Sequence, residues 1–248
     1  MKQTPSPTLL SFFHNGRTMT LDVASYKAVV FDMDGTLLDT RIDYSRMTEL
    51  VYAEMRTIGV PEEALDGSGS TKFNIESGVR YLVSEGRKHE LYELEGRING
   101  QAKELEMENA GEARPVPGSL ELLMLLRRQG YLTGVLTRGS REYAEFVLTL
   151  CGAIDLLDAL VCRDDHPEKD AKPSPRAMEH VAEKLGVSAK DILYVGDHSY
   201  DHQCARDSGA GFIAVLTGTY DQEDWLRTGE DIPVLGSVAD MLDMFDRA

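Results

Sequence analysis

The sequence predicts an α/β protein: a doubly wound, Rossmann-like parallel sheet with an inserted α-helical subdomain. Three observations predict it. Short apolar runs over residues 28–31, 131–136, 159–162, 192–195 and 211–216 read as buried strands. From Ser119 onward they alternate with helical patterns of about ten residues, which makes right-handed βαβ units. Between Thr40 and Glu112 the pattern is helical throughout, with no convincing strand.

Taken in order, residues 1–21 hold no acid, several Ser and Thr, and only Lys2 and Arg17 as firm cations. We expect a loose tail there, or a start at Met19. A targeting peptide would be richer in arginine and amphipathic, and Leu9-Leu10-Ser11-Phe12-Phe13 is short for a secretory apolar region. Residues 22–40 open the core, and Ala28-Val29-Val30-Phe31 is unbroken apolar sequence, as suits a strand covered on both faces.

Residues 41–115 are expected to form the helical insert. Met47, Leu50, Val51, Met55 and Ile58 make a helical stripe closed by Gly59. Pro61-Glu62-Glu63 suits a first helical turn, and residues 67–71 are a flexible loop by composition. Helical pattern follows over 75–83 and, with many charges, over 89–107. Pro115-Val116-Pro117-Gly118 punctuates the return to the core, residues 116–248. There Ser119 is read as the N-cap of a helix that stops at Gly130. Helices over 141–150, 174–185 and 200–208 alternate with the strands. A short strand over 233–235 and a helix over 238–245 end the chain.

Composition narrows the function. The 26 basic and 42 acidic side chains leave a net charge of -16, which argues against nucleic acid and anionic membrane as partners. The same charge repels an anionic substrate at long range, so a phosphate site must carry its own positive charge. No apolar run approaches the ~20 residues that span a bilayer. Cys151, Cys162 and Cys204 lack metal spacing and read as packed thiols of a cytoplasmic protein.

The organising stretch is Asp32-Met33-Asp34-Gly35-Thr36. Side chains two apart on an extended chain point the same way, so Asp32 and Asp34 can share one site beyond the strand's C-terminal end, where open α/β sheets bind ligands. A plain acidic turn is the alternative on these residues alone. Downstream, Thr137 closes a strand before Gly139 and Ser140. Lys172 stands in Lys172-Pro173-Ser174-Pro175, and a further strand runs into Gly196-Asp197-His198-Ser199-Tyr200-Asp201.

In that order and at strand ends, these four stretches resemble the motifs of the haloacid dehalogenase-like (HAD) superfamily, whose commonest members are Mg2+-dependent phosphatases. The resemblance spans residues 27–220 and implies roles. Asp32 would be the nucleophile, forming an aspartyl-phosphate, and Asp34 the general acid and then base. Thr137 and Lys172 would complete the catalytic set. Gly35, Thr137, Arg138 and Lys172 would meet the substrate. Asp32, Asp34 through its carbonyl, and Asp197 would hold Mg2+, with Asp201 behind them. Asp34 favours phosphoryl transfer over dehalogenation, because halide needs no proton. The family often has asparagine where Arg138 stands, so Arg138 either contacts substrate or pairs with a carboxylate. His198 and His202 are expected to hydrogen bond or lie exposed.

An insert directly after the first motif resembles the helical cap of phosphoglycolate phosphatases and β-phosphoglucomutases. It implies closure over the site, hinged near Thr40-Arg41 and residues 115–118, with Arg41, Lys72 and Arg80 as charged groups that could read a substrate. The implied function is a phosphatase for a small phosphorylated metabolite. The alternatives are a phosphomutase and a non-catalytic binding protein of the same fold. The oligomeric state, monomer or homodimer, is open.

Overall fold

The structure is a computed structural model that describes residues 9–14, 17–65 and 71–246; for residues 9–14, 17–20, 71–74, 76 and 92 it describes the backbone alone. The chain divides into two units, Met1–Thr40 with Glu112–Ala248, and Arg41–Gly111.

In the first unit, strands β1 (Leu9–His14) and β2 (Arg17–Asp22) pair antiparallel, with His14 opposite Arg17. This ribbon stands where a loose tail was expected. The overlooked signal was Asn15-Gly16, the dipeptide that most strongly marks a hairpin in sequence. Strand β3 (Ala28–Phe31) is buried at every position. Strand β4 (Leu38–Asp39) pairs antiparallel with β5 (Arg114–Pro115), so the chain leaves for the insert and returns side by side. These two-residue strands are too short to show alternation, and neither was expected from the sequence.

The remaining strands are β6 (Leu132–Leu136), β7 (Ala159–Val161), β8 (Ile192–Gly196), β9 (Gly211–Val215) and β10 (Val234–Leu235). With β3 they form a six-stranded sheet in the order β10-β9-β8-β3-β6-β7, every pairing parallel. Phe31 pairs with Val135 on one side and Val195 on the other. That register ends β6, β3 and β8 together, the edge at which a ligand site forms.

The second unit holds helices α1 (Tyr44–Thr57), α2 (Thr71–Ser84) and α3 (Leu91–Glu108). They enclose an apolar core of their own that includes Val51, Met55, Leu82, Leu94 and Ile98. Asp43 starts α1 by accepting from the Ser45 and Arg46 amides, 3.1 Å each. The glycine-serine loop expected over 67–71 lies, but for Thr71, outside the described residues.

Back in the core, helices α4 (Ser119–Arg128), α5 (Arg141–Leu150), α6 (Pro175–Leu185) and α7 (Ser199–Ser208) connect the strands. Ala177, Met178, Val181, Ala182 and Leu185 of α6 join Val30, Leu136 and Tyr194 in the core on one side of the sheet. Ser174 caps α6 through its hydroxyl, with Pro175 in the first turn. Helices α8 (Gln222–Arg227) and α9 (Leu242–Asp246) follow. Helix α8 was not expected. It is six residues long, yet Asp221 and Asp224 form a reciprocal capping box and Trp225 is fully buried. Ser119 is not the N-cap of α4. Gly118 is, at φ 87°, because the chain turns there against Ala239.

Among the described residues, no helix is long and apolar enough to cross a membrane. All three cysteines are free and buried.

Two outcomes follow. A Cβ at Gly118 would lie 2.7 Å from the Ala239 Cβ and 2.9 Å from its Cα, and the positive φ adds strain. Gly118→Ala should therefore cost about 2–4 kcal/mol in denaturant unfolding; an unchanged midpoint would refute this packing. Burial pushes the Cys162 and Cys204 thiols up to about 12 and raises Cys151. At pH 8 the first two are almost wholly protonated, so the native chain should resist alkylation at them while the unfolded chain reacts. Rapid labelling of native Cys162 or Cys204 would contradict their burial.

Candidate active site

Asp32 follows β3 directly, and its amide still donates to the Val195 carbonyl at 2.8 Å. The strand ladder thus sets its position before its side chain does anything. Asp197 follows β8 in the same way. Lys172 arrives from the loop ahead of α6, and Asp201 from the first turn of α7. Asp32, Lys172, Asp197 and Asp201 are all buried.

The lysine is the centre of the cluster. Its Nζ donates to Asp32 Oδ1, to Asp201 Oδ1 at 2.7 Å and to the Tyr194 hydroxyl at 3.0 Å. An ammonium has three protons, and these three acceptors use them all. The Tyr194 oxygen also lies 2.9 Å from Asp201 Oδ1 and 3.1 Å from the Leu136 carbonyl. Burial alone would lower the lysine's pKa, but Asp201 and Asp32 outweigh it and hold it above its ordinary value.

Asp32 is pulled in opposite directions. Burial pushes its carboxyl well above the usual carboxylate range, Lys172 opposes that, and Asp201, Asp197 and Asp34 add to the rise. Asp197 is raised too, first by burial and then by Asp201, against the Thr219 amide and Lys172. One ammonium therefore faces an excess of carboxylates in a low-dielectric place.

Carboxylate oxygens of Asp32, Asp197 and Asp201 all lie within 4.8 Å of one another. Buried, all-oxygen and short of positive charge, this donor set fits a hard divalent cation. Asp201 was expected behind the metal ligands, and it stands among the three carboxylates. Both its oxygens are engaged: Oδ1 by Lys172 and Tyr194, Oδ2 by the His198 amide at 3.1 Å.

Asp197 is held by groups that the sequence reading passed over. Thr36 Oγ1 donates to Asp197 Oδ1 at 3.1 Å, and the Thr219 amide donates to Oδ2 at 2.6 Å. Gly35, at φ 78°, and Gly218 leave the room this needs. A Cβ on Gly218 would stand 2.1 Å from Asp197 Oδ2, and one on Gly35 would stand 2.7 Å from the Gly218 Cα. The available signal was Thr217-Gly218-Thr219 at the end of β9, where strand ends carry the chemistry. Gly35 was expected to meet substrate. Its amide instead donates to the Leu38 carbonyl at 2.8 Å, and its carbonyl accepts from the Thr217 hydroxyl at 2.6 Å.

Asp34 points its Oδ1 at two hydroxyls, Thr40 and Tyr143, at 2.8 Å each. Thr137 is buried at the end of β6. Its amide belongs to the sheet, donating to the Val161 carbonyl at 3.0 Å, while its Oγ1 accepts from the Gly139 amide at 2.9 Å. The hydroxyl proton is what Thr137 can offer a ligand.

Arg138 pairs with a carboxylate, the second of the two roles left open for it. One guanidinium nitrogen donates to Glu168 Oε1 at 2.7 Å and another to the Lys172 carbonyl at 2.8 Å. His198 accepts the Tyr200 amide at 3.1 Å and caps α7; burial lowers its pKa, so it is a neutral cap at pH 7. In the helical unit, Arg80 donates to Ser77 Oγ at 3.0 Å and Asn109 donates to the Arg41 carbonyl at 3.3 Å. The Lys72 side chain lies outside the described residues.

Three comparisons bear on this geometry. Residues 29–215 match the family model of haloacid dehalogenase-like hydrolases. The chain is 29% identical to the N-acetylmuramic acid 6-phosphate phosphatase of Pseudomonas aeruginosa, over 90% of this chain and 96% of that one. It is 30% identical to the phosphoglycolate phosphatase of Thiobacillus denitrificans, over 77% and 84%. Among solved structures, a hydrolase from Pseudomonas syringae superposes with a TM-score of 0.61 at 22% identity, over 89% and 98%; it shares the fold. A family match running from β3 through β9 takes in every residue of the cluster, and on it the chain belongs to the haloacid dehalogenase-like hydrolases.

Proposed function

We propose that this protein is a Mg2+-dependent phosphatase that hydrolyses a small phosphorylated metabolite through a phosphorylated Asp32. The observation that carries the reading is the buried Lys172 ammonium in contact with Asp32, with Asp34 two residues further on. An ammonium there favours the ionised carboxylate that a nucleophile must be, and it faces the charge that a phosphoryl group brings.

The chemistry runs in two steps. Asp32 attacks phosphorus in line, and the bond from phosphorus to the leaving oxygen breaks as Asp34 gives that oxygen its proton. Asp34, now a carboxylate, takes a proton from water. The water oxygen attacks phosphorus, the bond to Asp32 breaks, and inorganic phosphate leaves with Asp32 restored. Lys172 stays between Asp32 and Asp201 throughout, so the nucleophile does not wander. Thr137 donates a hydrogen bond from its hydroxyl to a phosphoryl oxygen. Asp32, the Asp34 carbonyl and Asp197 would hold Mg2+, which when bound neutralises charge on the phosphoryl oxygens. Asp201 orients Lys172 from the α7 side.

The helical unit, inserted directly after the first motif and with its own core, is the part we assign to reading the leaving group. The names of the relatives suggest the range to test, N-acetylmuramic acid 6-phosphate and phosphoglycolate among them.

Phosphate release from a panel of phosphorylated metabolites, with and without Mg2+, checks the reading. Release should require the metal, and Asp32→Asn should lower it by about 10³-fold or more. A variant that keeps normal activity would falsify the nucleophile. Isomerised sugar phosphate without free phosphate would move the reading to a phosphomutase. Asp197→Asn should raise the Mg2+ needed for half-maximal rate about 10- to 100-fold or more, by analogy with altered metal sites; an unchanged titration would place the metal elsewhere.

A further inference from the structure

The two hydroxyls on Asp34 come from different places. Thr40 is the last residue of the core before the chain passes into the helical unit. Tyr143 is in the first turn of α5, fully packed, 109 positions away in sequence. Its ring fits because residue 139 is glycine: a Cβ there would stand 3.0 Å from the Tyr143 Cδ1. A buried phenol without a partner costs about 1–3 kcal/mol, so the ring is placed there with its hydroxyl spoken for.

Both donors converge on Oδ1. An oxygen that accepts two hydrogen bonds is a poor place for a proton. The two donors fix the plane of the Asp34 carboxyl. Thr40 adjoins the boundary between units, whereas Tyr143 is anchored in a helix whose Ala144, Val147 and Leu148 are buried with it. The tyrosine can hold Asp34 whatever the neighbouring segment does.

We propose that Tyr143 is a positioning residue for Asp34, holding Oδ1 so that the carboxyl is aimed to pass its proton to the leaving oxygen of an alkyl phosphate monoester. The inference rests on the phosphatase reading above. It singles out substrates whose leaving group needs a proton, because an alkoxide is a poor leaving group and a nitrophenolate is not.

The test compares wild type with Tyr143→Phe, which keeps the ring and removes the donor. Two substrates are used: the alkyl phosphate that wild type turns over best, and p-nitrophenyl phosphate. The readout is kcat/KM, which runs only to departure of the first product and so leaves out the later attack by water. For the alkyl ester it should fall about 10- to 100-fold, part of the 10²–10⁴-fold that positioned proton transfer supplies. For the nitrophenyl ester the fall should be less than about threefold, since little proton transfer is needed there. Equal falls on both esters, or none on either, in a variant whose unfolding midpoint matches wild type would overturn the role of Tyr143 alone. A wild type inert on both esters would overturn the phosphatase reading and this inference together. Should the phenylalanine variant unfold early, a series of aryl phosphates of graded leaving-group acidity decides on the fraction still folded. A steeper dependence on leaving group supports the inference, and an unchanged slope removes it.

Discussion

The lysine buried between two aspartates is the constraint on which the rest of the site depends. Lys172 reaches Asp32 from a loop 140 positions away in sequence. Desolvating each ion costs several kcal/mol, and removing one partner leaves the other charge uncompensated. The three acceptors around Nζ are what make burial tolerable. They also leave the site with more carboxylates than cations, and burial with crowding raises Asp32 and Asp197. A chain of net charge -16 gains nothing from its overall field in drawing in a phosphate. Local positive charge, such as the Lys172 ammonium beside Asp32, has to do that work against it.

The backbone delivers these groups with little freedom. Parallel register ends β6, β3 and β8 at one level, and Asp32 still takes part in the ladder through its amide. Asp197 is gripped at both oxygens, by Thr36 and by the Thr219 amide. The Lys172 loop is tied from its carbonyl to Arg138, which Glu168 holds in turn. Arg138 thus acts on the main chain that carries the lysine. A guanidinium suits that task, because its planar fork serves a carboxylate and a carbonyl together.

Much of this was legible in the sequence, for identifiable reasons. Strands covered on both faces are unbroken apolar runs, so β3, β6, β8 and β9 stood out, and Asp32, Thr137 and Asp197 stood at their ends. Lys172 was marked by the prolines around it. Partners brought in by the fold were not legible. Tyr194 reads as one more apolar residue of a buried strand, yet its hydroxyl meets Lys172 and Asp201. Tyr143 reads as one residue of the helix over 141–150, and only the fold brings its hydroxyl to Asp34. Gly218 has no side chain to announce it; its meaning is the space Asp197 occupies. The antiparallel pairing of Leu9–His14 with Arg17–Asp22 had a local sequence signal in Asn15-Gly16, and α8 had one in Asp221 and Asp224. Neither stands out by apolar periodicity, which six-residue elements barely show.

Each unit has an apolar core of its own. Val51, Met55, Leu82 and Leu94 stabilise the helical unit without help from the sheet. Val30, Leu136, Val181 and Tyr194 belong to the other core. The Lys172 cluster leans on the second set only, since Tyr194 is at once a core residue and a partner of the lysine. Substitutions within Arg41–Gly111 can therefore change the helical unit's core without touching the groups that hold Lys172. Changes behind the strand ends cannot avoid those groups, because each buried group there is held by another. The charged groups at the strand ends are thus locked by burial and pairing, while Arg41–Gly111 is stabilised by contacts of its own.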